Sequence, residues 1–433
     1  MLYGVIEVEF LEGTGYQTTQ IANTPILRED MKAVYWGNAS GEIDKTITNN
    51  TNEFDGTDTA YKEQNWYNYK SQEFNTTENG GTSRWANAIV TVDEVDSYFV
   101  WIPRYAYRII YFKDKNSEDR YREGFLTEED ALNQNLIVGY SDARGIVNAE
   151  GKRPENVVSQ TAISVNDKYF KTHPVFDGDV NYGGWAEDDG TPVKLQGIWV
   201  AKYEASSVEG NSNNEDGDNV TTKHIRIQPG VPSWRNITIG NMFTNAKNYN
   251  QNLKSHLMKN SEWGAVVYLT ESKYGRNGTT VERNSSLRYC TGGDDGIAYI
   301  TNTDQSSTGN IYGIYDLSGG SYEYMAGYYS ESSNLTNYGG QLVSENRLSN
   351  AYSTTYTEIT DNDWVGAKSH KYGDATYETC GWNSERAYFV TSINPFFNRG
   401  CHFSMSASGM FAFDRGNGGS NNYNSFRICL TMQ

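Results

Sequence analysis

Three glutamates, Glu204, Glu262 and Glu323, are the first residues in this chain that could do acid–base chemistry. Such chemistry needs two carboxyl groups within reach of one substrate, in environments that push their pKa values apart. Nothing in the spacing brings any two of them together, so each reads as a cap or a hydrogen-bond partner of backbone in a loop-rich fold. The histidines His173, His224, His256, His370 and His402 are scattered, with no H-E-x-x-H pair to hold zinc. Cys290, Cys380, Cys401 and Cys429 form no C-x-x-C pair, which excludes a zinc ribbon and a thioredoxin-like site and leaves disulfide pairing open. Asp177-Gly178-Asp179, Asp188-Asp189-Gly190, Asp216-Gly217-Asp218 and Asp294-Asp295-Gly296 offer oxygen ligands to a structural calcium. None has EF-hand spacing, so solvated turns are the favoured reading and whether a metal is bound stays open. No other cofactor is expected.

The elements that must position these residues are mostly strands. Val5 to Phe10 and Met31 to Trp36 read as strands, separated by a polar stretch from the aromatic run Trp66 to Tyr69. Residues 97–112 are the clearest strand signal, aromatic and β-branched throughout, with Pro103 marking an edge or a bulge. Gly197 to Glu204 is a second strong strand. A short helix is expected near Glu128–Asn133. Two more should follow, one after Ser233-Trp234 carrying Ile237, Met242, Phe243 and Ala246, the other from Lys259 carrying Ala265, Val266 and Leu269. Beyond residue 270 glycine, asparagine, serine and threonine dominate, which is long-loop territory.

Composition narrows the partners. The 433 residues carry a formal net charge of −18 and include 33 Tyr and 10 Trp, so aromatic cores or aromatic binding surfaces are expected beneath an acidic exterior. Such a surface repels phosphate backbones, and no basic cluster holds anionic lipid, so nucleic acid is excluded as a partner. No apolar run reaches the length of a membrane span, and the first ten residues read as a strand rather than as a signal peptide.

Five segments, in order, resemble the formylglycine-generating-enzyme-like (sulfatase-modifying-factor) branch of the C-type lectin fold. They are Ile198-Trp199-Val200-Ala201-Lys202-Tyr203-Glu204, the stretch from Pro232-Ser233-Trp234 to Ala246, and His256 to Trp263. The others are Asn310 to Tyr324, and Asn398-Arg399-Gly400 through Ser425-Phe426-Arg427. The resemblance implies an α+β C-type lectin fold over residues 97–433, with residues 1–95 a small β-rich N-terminal unit for assembly or attachment. Enzymes of that family use two cysteines five residues apart after the Arg-Gly turn; the same offsets here fall on Met405 and Met410. A thioether supplies neither a thiolate nucleophile nor an anionic metal ligand, so no enzyme activity is expected, and the family's oxidoreductase chemistry is the alternative.

Residues 398–427 divide into two kinds. Arg399-Gly400, Gly409, Phe411-Ala412-Phe413, Gly418 and Ser425-Phe426-Arg427 form a skeleton. Between them stand Cys401, His402, Phe403, Ser404, Ser406, Asp414, Arg415, Asn417, Asn421, Asn422 and Tyr423, which share no physical theme. This resembles the variable proteins of diversity-generating retroelements, in which asparagine codons are randomised at their adenines. That resemblance implies that these eleven residues form a variable ligand-binding face for a surface protein or glycan. The protein would then be a receptor-binding adhesin on a phage tail tip or on a bacterial surface or pilus tip, outside the cell. Self-association, or attachment to the virion or pilus, would fall to residues 1–95.

Overall fold

The computed structural model describes residues 3–19, 21–36, 43–44, 66–71, 83–112, 115–124, 137–139, 170–187, 189–210, 219–294, 298–345, 352–357 and 371–432. The helix expected near 128–133 lies outside them, as do Asp188, Asp216-Gly217-Asp218, Asp295-Gly296 and His370. Strands outweigh helices, a mixed pattern consistent with an α+β or β-rich class.

Alternating β-branched and aromatic residues give the strands that carry the fold: β1 (Tyr3–Leu11), β2 (Met31–Trp36), β3 (Asn87–Val92), β4 (Val95–Pro103), β5 (Tyr105–Phe112) and β6 (Gly197–Ala201). Among the described residues, a seven-stranded antiparallel sheet runs β2–β3–β4–β6 at its centre, with one short strand beyond β2 and two in succession beyond β6. β1 pairs with β5 in a second sheet, from Tyr3↔Phe112 to Phe10↔Tyr105. Pro103 is neither an edge nor a bulge. It is the last residue of β4, opposite Gly197, where its missing N–H breaks no ladder bond. Arg104 then carries the chain from one sheet into the other. Its N–H donates to Gln196 O at 2.8 Å and its carbonyl accepts Leu11 N–H at 3.2 Å.

The boundary expected between residues 95 and 97 falls inside a hairpin. Val92 pairs with Val95 across Asp93 and Glu94, whose φ angles of 49° and 63° are those of a two-residue turn matched to strand twist. The described part of residues 1–95 therefore does not form a sheet of its own. Trp36, Trp66 and Trp85 belong to the same core as Trp199, Trp234 and Trp263. Asn87 joins the halves: its Oδ1 accepts Trp36 Nε1 at 3.0 Å and Lys202 Nζ at 2.9 Å, and its Nδ2 donates to Tyr312 O at 2.8 Å.

Helix α1 (Lys115–Arg122) packs on β1, where Glu118 Oε2 accepts Gly4 N–H at 3.1 Å. Helix α2 (Ile239–Asn248) buries Ile239, Met242, Phe243 and Ala246, one face at helical spacing. Helix α3 (Asn260–Glu271) is buried on every side, and Glu262 caps it by accepting Lys259 N–H at 2.8 Å. Both helices lie where the sequence places them.

A third sheet closes the fold. Strand β8 (Tyr322–Tyr329) is central in it, after the short β7 (His256–Leu257) of the large sheet; β9 (Phe396–Arg399), β10 (Phe413–Gly416) and β11 (Asn424–Ser425) follow, and β12 (Ile428–Leu430) returns to the large sheet beside β6. Arg427, between β11 and β12, is fully buried. It donates to Glu323 Oε2 at 2.8 Å and Oε1 at 2.5 Å, to Ala201 O at 2.8 Å and to Tyr315 O at 2.9 Å. Arg427→Met leaves Glu323 buried without its counter-ion and should lower unfolding free energy by about 3–5 kcal/mol in urea titrations. Adding Glu323→Leu should recover part of that loss, and a wild-type midpoint for Arg427→Met alone would show that the pair organises nothing.

Candidate functional site

The loop between β9 and β10 is carried by a short antiparallel ladder, Asn398↔Asp414 and Arg399↔Phe413, with β9 also paired to β8. Gly400 and Cys401, with φ of 76° and 60°, turn the chain out of β9. Anchors then recur along the loop. Phe403 N–H donates to Gly320 O at 2.9 Å, Trp263 Nε1 to Met410 O at 2.8 Å, and Phe411 N–H to Glu385 Oε2 at 2.8 Å. After β10, Ile239 N–H donates to Gly418 O at 3.0 Å, Asn236 N–H to Asn421 O at 2.8 Å, and Tyr322 N–H to Tyr423 O at 2.8 Å. Two glycines are sterically required. A Cβ on Gly409 would lie 1.9 Å from the Glu385 carboxyl carbon, and one on Gly418, at φ 88°, would lie 2.8 Å from the Phe396 ring.

Burial sorts the segment residue by residue. Arg399, Gly400, Gly409, Phe411, Ala412, Phe413, Gly418, Ser425, Phe426 and Arg427 are all buried. Ser404, Ser406, Asn417, Asn421, Asn422 and Tyr423 are exposed, and His402, Phe403 and Arg415 are half-buried. Cys401 and Asp414 depart from the face expected of them. Cys401 is 0% exposed, its thiol turned to Ala407 O at 3.8 Å, and Asp414 is 8% exposed and paired with Arg386. Neither can offer more than a small area to a ligand; they lie under the face rather than on it.

The half-buried and exposed side chains form one aromatic and cationic surface. His402 stacks on Tyr423 at 4.8 Å between centroids and meets Tyr322 at 5.4 Å and Phe403 at 5.8 Å. Phe403 packs edge-on against Tyr289 at 4.9 Å, and Tyr289 lies 3.7 Å from the Arg235 guanidinium. Tyr322 donates to Asp414 Oδ2 at 3.2 Å, Asp414 holds Arg386, and Arg386 lies 4.4 Å from the Tyr388 ring, with Arg415 at 5.8 Å. Ser404 Oγ lies 3.1 Å from His402 Nδ1, while Asn417 and Asn421 turn their side chains back to Gly419 N and Tyr423 N. Burial, and then the Arg386 charge, hold the His402 imidazole below its ordinary pKa, so the ring stacks in its neutral form at neutral pH. Tyr289, Tyr322, Arg386 and Tyr388 were not legible as members of this surface, because each lies in a separate segment that only the fold brings to the loop.

Glu204, Glu262 and Glu323 do not converge on a substrate space. Glu204 accepts Ser321 N–H at 2.8 Å, Glu262 caps α3, and Glu323 holds Arg427. Burial, then the charges of Asp316 and Glu323, push the Glu204 carboxyl well up. All four cysteines are buried, and none is joined in a disulfide. Of the calcium candidates, Asp177 pairs with Arg104 at 3.1 Å, while Asp179 and Asp189 cap their own turns. One group among the described residues has donor atoms close enough to hold a metal: His256, Glu262 and Cys429, within 4.8 Å of one another, with His256 directly opposite Cys429 in the ladder. His256 lies 2.7 Å from both Lys254 O and Glu262 Oε1, and burial together with the Glu262 charge keeps the Cys429 thiol protonated.

No protein-family model matches this chain, and no curated protein matches it.

Glu385, directly beneath the loop, is buried, and desolvation raises its pKa to about 8. The folded protein thus holds a proton that the unfolded chain releases near the ordinary value of 4.5. That contribution is fully present below the unfolded pKa and is lost as pH rises through the folded one. Glu385→Gln keeps an acceptor for Phe411 N–H without the titration. Between about pH 5 and about pH 8.5 the melting temperature of the wild type should fall relative to that of Glu385→Gln. A constant difference across the range would mean that the carboxyl does not titrate.

Proposed function

We propose that this chain is a hypervariable ligand-display protein of the C-type lectin fold, in its formylglycine-generating-enzyme-like branch, diversified by a diversity-generating retroelement. The observation that carries the reading is the alternation along 399–427, where skeleton residues are buried and most of the thematically unrelated residues are half-buried or exposed. A backbone anchored by buried groups lets exposed side chains change without unfolding the protein. Phe403 and Tyr423 supply rigid contact area, and Arg415, Asn421 and Asn422 supply charge and hydrogen bonds. Support for the lectin-like branch comes from helices α2 and α3 at the expected segments and from Arg427 reaching Glu323, Tyr315 and Ala201, each within a segment that resembles the family. Presentation at a phage tail tip or on a bacterial surface, toward a surface protein or glycan, belongs to the same proposal, with many weak contacts summed by multivalent display.

The alternative, oxidoreductase chemistry of the same family, needs a reactive thiol near the loop. Met405 and Met410 stand at the cysteine offsets, and burial, followed by the Asp414 charge, pushes the Cys401 thiol up to about 12. Turnover of a cysteine-containing sulfatase peptide by the purified protein would revive that alternative.

Sister copies of the gene should differ almost only at codons for 401–424, with replacements confined to residues that randomised asparagine codons encode, and with Arg399, Gly409, Phe411, Phe413, Gly418 and Arg427 constant. Deep sequencing of the locus checks this; differences spread evenly along the gene would sink it. Placing serine at His402, Asn421, Asn422 and Tyr423 should change stability by no more than about 0.5 kcal/mol each, whereas Asp414→Ser, which leaves Arg386 unpaired, should cost more.

A further inference from the structure

We infer that the face formed around residues 401–424 takes an acidic segment of a partner protein. This rests on the reading of those residues as the ligand face, and it adds the chemistry of what they bind.

The segments that meet at the face, 282–289, 319–322, 384–389 and 400–424, bring Arg283, Arg386 and Arg415 to one surface of a protein whose net charge is −18. Their acids are few. Asp414 is buried against Arg386, Glu385 is buried under the loop, and Glu282 lies exposed at the margin. Burial keeps Glu385 protonated at neutral pH, which removes a further negative charge from beneath the surface. At physiological salt, charges more than about 8 Å away are largely screened, so the arginines at the surface, not the distant acidic exterior, set the potential a docked ligand meets.

Geometry matches a carboxylate-bearing chain. A guanidinium carries five N–H donors in a planar fork that suits carboxylates. Arg415 uses one on Phe389 O at 3.1 Å, and Arg283 uses one on Met405 O at 2.6 Å. Both keep further donors, and Arg415 lies 5.8 Å from the Tyr388 ring. The apolar part of the surface argues for protein rather than sugar. Leu287 is 78% exposed two residues from Tyr289, and Tyr388 and Tyr423 are 46% and 44% exposed. Tyr423 has a ring face covered by His402, and an exposed leucine gives a hydroxyl-rich sugar nothing to bond. Rigid aromatics beside arginine are the composition of protein-binding hot spots.

The test is to pan a random linear peptide library on the immobilised full-length protein, and in parallel on Arg283→Gln/Arg415→Gln and on Tyr388→Ala/Tyr423→Ala, each shown by melting to be folded. The expected result is enrichment of acidic peptides that also carry apolar residues. Their Kd should weaken at least about tenfold on the arginine variant and weaken further with added salt. Enriched peptides that are neutral or basic and are lost only on the tyrosine variant would overturn the acidic inference and leave the face standing. Peptides indifferent to both variants would overturn the inference and the face together. Binding of soluble heparin with no acidic peptide enriched would overturn a protein as the occupant.

Discussion

A guanidinium without access to water must find acceptors for its donors inside the protein, and Arg427 finds them on three separate parts of the chain. The Glu323 carboxylate begins the central strand of the third sheet, Ala201 O ends a strand of the large sheet, and Tyr315 O belongs to the loop between them. Because the ion pair is fully buried, its strength depends on geometry, and each acceptor must sit where the others require. Fixing Arg427 therefore fixes the relation of the two sheets. It also fixes where the chain emerges on either side of the segment that carries the exposed residues.

From that constraint the loop inherits its rigidity. Its supports are remote in sequence: Trp263 from a buried helix, Glu385 from the preceding connection, Gly320 from the turn before the central strand. None of these supports needs an exposed side chain of the loop, since the bonds run to backbone atoms. Side-chain identity at the surface is thereby separated from backbone position, which is the physical condition for a surface whose chemistry can change while its shape does not. The separation is incomplete at Asp414, whose carboxylate links Tyr322 and Arg386 across the surface from below.

Sequence periodicity sufficed for the elements with a strong local signature. The helix faces of Ile239–Ala246 and the strands around Trp36, Trp101 and Trp199 follow from side-chain spacing alone. The hairpin at Asp93-Glu94 was not legible because it carries neither Asn-Gly nor Asp-Gly, so an ordinary turn signal was missing where two strands join. In the loop, glycines and aromatics identified the skeleton. They could not reveal that Cys401 points inward, since a single turn residue has no period from which to read its direction. The wider surface was illegible for a different reason: Tyr289, Tyr322 and Tyr388 come from separate segments that tertiary packing brings to the loop, and an exposed tyrosine such as Tyr388 looks in sequence like a buried one such as Tyr289.

The left-handed backbone at Cys401, φ 60°, bears on how large a repertoire this scaffold could sustain. Of the residues that a randomised asparagine codon supplies, glycine, asparagine and aspartate tolerate this conformation, while the others are strained by about 1–2 kcal/mol. On the proposed reading, a variant that places a different residue there would start with less stability than its siblings. The fraction of variants that still fold depends on how far the scaffold lies above its stability threshold. A buried arginine remote from the ligand would in this way govern how many different surfaces the lineage can try.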